Sequence, residues 1–102
     1  MITVTPQSGD LVYMQASEGD KPQGAGEATH EGEILNITGG DDYVFDLIIR
    51  SFINYFDRRG VKRVTSKKKE LFERLEKTGF GYVEEGLMAL DTKIFFRRKC
   101  EG

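Results

Sequence analysis

The stretch "NITGGDDYVFDLIIRSFINYFDRRG", Asn36 to Gly60, reads as a strand end, a glycine pair, two aspartates and a long helix. From Tyr43 to Arg59 apolar residues recur three and four apart: Val44, Phe45, Leu47, Ile48, Ile49, Phe52, Ile53, Tyr55 and Phe56. Such spacing gathers side chains on one face of a helix, and this stripe is wide enough to bury most of it. Asp46, Arg50, Asn54 and Asp57 form the polar edge, and Gly60 fits the C′ position that ends a helix. The turn before the helix carries two readings. A strand, a glycine-rich turn and a helix N-terminus can cradle phosphate, because backbone N–H groups converge there and the helix dipole favours an anion. Asp41 and Asp42 can instead cap the helix themselves, standing where an incoming anion would sit. The self-capped reading is favoured: carboxylates there stabilise the helix by roughly 1 kcal/mol and repel a phosphate.

Working outward, Ile2 to Thr5 and Leu11 to Ala16 alternate and read as strands. Ser17 to Gly26, rich in Gly, Pro, Asp and Ser, reads as a loop. One strand through His30 and another from Glu33 to Ile37 follow, joined by a tight turn in which Gly32 supplies a positive φ. Beyond the long helix, "VKRVTS" reads as a strand. A second helix is expected from Lys67 to Thr78, with Ser66 as its N-cap and Gly79 closing it. Two last strands are expected around Tyr82–Glu84 and from Met88 or Leu90 to Phe96. The order β-β-β-β-α-β-α-β-β predicts an α/β (α+β) fold: a mixed, mainly antiparallel sheet carrying two main helices.

At 102 residues, 38% hydrophobic and 31% charged, the chain reads as one globular domain. No apolar run reaches the roughly 20 residues of a membrane span, and no signal peptide is visible, so no membrane role is expected. The single cysteine, Cys100, fits a reducing cytoplasm. The net charge of −2 hides a division. Met1 to Asp57 holds ten acidic and two basic residues; Arg58 to Gly102 holds seven and thirteen. Glu70, Glu73 and Glu76 are mixed into the basic half and dilute its field. Nucleic acid is therefore the least favoured partner.

The order of elements and several strings resemble the GNAT superfamily of N-acetyltransferases, over roughly Leu11 to Phe96. "GEILNI" is similar to the strand whose splayed backbone receives pantetheine, "LIIRSFINYFDRRGVKRV" to the central helix and next strand, and "LFERLEKTGF" to the helix after it. The resemblance implies an acyl transfer from acetyl-coenzyme A to an amine, with Glu33 as general base. It implies that backbone at Leu35 and Ile37, with Gly39 and Gly40, holds the cofactor. Departures accompany it. The family's loop glycines fall near Asp41, Tyr43 and Phe45, so weak or absent coenzyme A binding is expected. Leu75 stands where family members often carry a tyrosine acting as general acid. The first strand and two helices that usually build the acceptor site are expected to be missing, which leaves a bare apolar flank and favours a homodimer.

Other residues carry less. His30 has no HxH or Cys partner, which favours an exposed turn histidine over a metal ligand, so no metal site is expected. Cys100 lacks a second histidine or cysteine for a dyad. "SKKKE" reads as a solvated helix start rather than a phosphate contact, and nothing singles out one of the tyrosines. Glu33 has a plain alternative as a polar residue at a strand start. The function expected is an acyl-coenzyme A-dependent N-acyltransferase of unnamed acceptor; the alternative is a non-catalytic module that binds a ligand or a protein.

Overall fold

The computed structural model describes residues 1–93. Its centre is the helix α1, Asp42–Arg58, on which Val44, Phe45, Ile48, Ile49, Phe52, Ile53, Tyr55 and Phe56 are buried. Asp41 is the N-cap, and Gly60 follows the last turn at φ 78°, as expected. Each fully buried side chain on that stripe stabilises the fold by about 1.5–3 kcal/mol over its exposed state.

Seven strands form one sheet: β1 (Ile2–Ser8), β2 (Val12–Glu18), β3 (Lys21–Ala28), β4 (Glu33–Thr38), β5 (Arg63–Ser66), β6 (Gly81–Glu84) and β7 (Leu87–Asp91). Their spatial order is β1-β2-β3-β4-β5-β7-β6. Only β4 and β5 run parallel, joined by the crossover through α1; the other pairs are antiparallel. The expected mixed sheet with two helices is therefore found.

Three expectations are corrected. First, Ser17 to Gly26 is not a loop: Gly19 makes a tight turn at φ 63° and β3 begins at Lys21. The glycines that suggested a loop let α1 sit close on the strand. A Cβ on Gly26 would lie 2.7 Å from Phe52 Cε2, and one on Gly24 would lie 3.1 Å from Val44 Cγ1. Second, Ser66 ends β5 instead of capping a helix. The second helix, α2, spans only Phe72–Lys77 after a 3-10 turn at Lys69–Leu71. Third, β7 ends at Asp91, whose carboxylate accepts from the Lys93 N–H at 2.9 Å. Phe96 and Cys100 lie outside the described residues.

The core occupies one side of the sheet. Val12, Met14, Ala16, Ala28, Ile34, Ile37, Val64, Met88 and Leu90 meet the α1 stripe and Leu71, Phe72, Leu75 and Phe80 in one cluster. Strand alternation sends Thr3, Thr5, Tyr13, Gln15, Ala25, Glu27, Glu33, Asn36, Thr38 and Thr65 to the other side. No described helix covers that side. It carries mainly hydroxyls, amides and carboxylates, so the bare flank is polar where an apolar one was expected. Before β2 the described residues hold one strand, β1, and no helix.

Candidate functional site

Strand β4 is irregular on both edges. Against β3 the pairing passes from Glu27↔Asn36 to Ala28↔Ile34, so Leu35 is an extra residue, a β-bulge. The bulge puts Ile34 and Ile37 on the core side although they are three apart. Against β5 the pairing covers only Glu33↔Thr65 and Ile34↔Ser66. The Ser66 hydroxyl then donates to the Ile34 carbonyl at 3.0 Å and accepts from the Lys68 N–H at 3.2 Å. That hydroxyl closes the ladder. From Leu35 onward the β5-side edge of β4 has no strand partner among the described residues. Sequence reading assigned Ser66 to a helix cap and missed this role, because a hydroxyl at a strand end and one at a helix start look alike in sequence.

The expected cofactor residues fall around this gap. Leu35 is half-buried in the bulge, and Ile37 is buried against the core. Ile37 can therefore offer a ligand its backbone and not its side chain. Gly39 and Gly40 turn the chain at φ 72° and 79°. A Cβ on Gly40 would lie 2.7 Å from Val44 Cβ, and one on Gly39 would lie 3.1 Å from the Gln23 carbonyl oxygen. Local packing thus requires both glycines, whatever else they contact.

The aspartates answer the question the turn raised. Asp41 Oδ1 accepts from the Val44 N–H at 3.0 Å. Asp42 Oδ1 accepts from Arg74 Nη2 at 3.1 Å and Nε at 3.2 Å, which ties α2 to the start of α1. The Arg74 guanidinium also lies 4.2 Å from the Phe45 ring centroid. Asp42, Phe45, Asp46, Arg74, Lys77 and Thr78 line a cleft of about 160 Å³ between the two helices. The helix start is capped by Asp41, while Asp42 in its first turn is paired with Arg74.

Glu33 is half-buried at the first position of β4, beside the last paired rung with β5. Its N–H donates to Thr29 Oγ1 at 3.1 Å, and its carbonyl accepts from the Thr29 N–H at 2.8 Å. These bonds fix the backbone and leave the carboxylate without a hydrogen bond or ion pair among the described residues. Leu75 is fully buried in the core. His30 is exposed, with Nε2 2.7 Å from the Gly9 carbonyl oxygen, so it links the β3–β4 turn to the β1–β2 turn. No group of His, Cys, Asp and Glu able to hold a metal occurs among the described residues. No helix of the described residues is long and apolar enough to cross a membrane. On the open side of the sheet Tyr13, Ala25, Gly26, Glu27, Asn36 and Thr38 line a depression of about 180 Å³. The sequence does not reveal this depression, because its floor, β3, carries the Gly and Pro of a loop.

No family model and no curated protein matches this sequence. Among solved structures the chain is similar to the ribosomal-protein-S18-alanine N-acetyltransferase from Escherichia coli, with a TM-score of 0.60 at 17% identity. The likeness covers 84% of this chain and 72% of that one. At that identity it establishes the fold, a mixed α+β architecture of the GNAT-like kind.

Proposed function

We propose that the chain is an N-acyltransferase that takes an acyl group from acetyl-coenzyme A and passes it to an amine. The observation that carries this reading is the pair of irregularities in β4: a bulge at Leu35, and an edge that loses its partner after Ile34. They leave backbone at Leu35–Ile37 available to an extended, amide-bearing ligand, which would bind much as an added strand does. Pantetheine has that chemistry. Glu33, with an unpartnered carboxylate beside the gap, takes the proton of the attacking amine directly or through water. Gly39 and Gly40 shape the turn over which the pyrophosphate would pass. With the start of α1 capped by Asp41, the pyrophosphate gains little there and the cofactor binds weakly.

A second reading, a non-catalytic module that binds a ligand or protein, is favoured by Leu75, which is buried and cannot donate a proton to a leaving thiolate. An acetyl-transfer assay over a panel of amines separates the two. Transfer by the wild type that falls about 10²–10⁴-fold in Glu33→Gln supports the enzyme. No transfer to any amine by a folded wild type supports the module. We assign the chain to the cytoplasm on its single cysteine.

A further inference from the structure

The depression on the open side of the sheet holds a carboxylate that the acyl-transfer reading does not use. Tyr13, Glu27 and Asn36 are register partners on three adjacent strands, so they form one row across β2, β3 and β4. The next row holds Ala25 opposite Thr38, and the small Ala25 leaves the hollow between Tyr13 and Thr38. Glu27 is half-buried there and makes no hydrogen bond or ion pair among the described residues. No lysine or arginine lines the hollow. A half-buried carboxylate with an aromatic ring on one side and an amide on the other suits an alkylammonium group. The charge gains a charge-assisted hydrogen bond, the ring attracts a cation, and the amide oxygen accepts a further N–H.

Glu33 lies on the same side of the sheet, beside Thr29. It is displaced from Glu27 by about two residues along the strands and by one strand across, roughly 8 Å between Cα positions. Two carboxylates so placed match the two nitrogens of a short compound: one held as an ammonium, the other neutral and reacting. We propose that Glu27, with Tyr13 and Asn36, is the anchor for the distal ammonium of a short alkyl diamine, which makes such a diamine the acceptor. This rests on the acyl-transfer reading for the role of Glu33, but the anchor itself binds without cofactor.

The test titrates 1,4-diaminobutane and 1-aminobutane into the full chain, followed by amide chemical shifts. Circular dichroism and melting serve as the check that each variant folds. The diamine should shift the amides of residues 25–27 and 36–38 and bind several-fold more tightly than the monoamine. Glu27→Gln should weaken it about tenfold with the fold intact, as expected for loss of one charge-assisted contact. Tyr13→Leu should weaken it less. Equal binding of monoamine and diamine, or unchanged diamine binding by folded Glu27→Gln, overturns the proposal. Diamine binding that depends on Glu27, in a protein that transfers no acyl group, upholds the anchor and removes the enzyme reading. Transfer to diamines with the same KM in wild type and Glu27→Gln does the reverse.

Discussion

At the scale of single residues, the turn before α1 is settled by two side-chain facts: Asp41 bonds the Val44 N–H, and Gly40 has Val44 pressed against it. Asp41→Ala should cost about 1 kcal/mol in urea unfolding, the usual worth of an N-cap, whereas Asp41→Asn should cost almost nothing. Equal loss in both would mean that charge and not the cap matters. Gly40→Ala should cost about 1–3 kcal/mol, because the residue sits at φ 79° and the new methyl would meet Val44. Unchanged stability would show that this glycine serves something other than packing. The carboxylates at Asp41 and Asp42 were legible in the sequence, since Asp before an apolar periodic run is a helix start. The partner of Asp42 was not, because Arg74 lies 32 residues away and only the packing of α2 on α1 brings it near.

At the scale of elements, α1 supplies the apolar stripe on which the core side of the sheet packs. Phe52 is fully buried and stacks on Phe56 with centroids 6.2 Å apart, so Phe52→Ala should cost about 3–5 kcal/mol in equilibrium unfolding. A loss under about 1 kcal/mol would contradict the burial. That helix was legible because its period is long and its ends are marked by Asp41 and Gly60. Strand β3 was not, because "KPQGAGEA" reads as turn residues until the helix above it is known. Its glycines answer a tertiary demand, the approach of Phe52 and Val44, which no local pattern records. The bulge at Leu35 is hidden for the same reason: register needs a partner strand, and the partner β3 has the composition of a loop. Thus Glu33, Leu35 and Ile37 are candidates through resemblance, while the gap beside them, Glu27 and Ser66 emerge only from the strand pairing.

At the scale of the whole molecule, both described helices lie on one side of the sheet, and among the described residues the other side carries mainly polar side chains. The proposed homodimer therefore finds little support on that open side. The edge strand β6 offers a better surface, with Tyr82 and Val83 exposed. Sedimentation should show a dimer at high micromolar concentration, and Val83→Lys should shift it towards monomer; a wild-type monomer under those conditions removes the dimer. Under the proposed function, the self-capped start of α1 would give a pyrophosphate poor reception. Calorimetry with acetyl-coenzyme A, on the wild type and on Asp41→Asn/Asp42→Asn, tests it most directly. Wild-type binding should be weak, at about high micromolar or above, and the variant should gain about tenfold as two carboxylates are neutralised and Arg74 is freed. Low-micromolar binding by the wild type, or no gain in the variant, would contradict it.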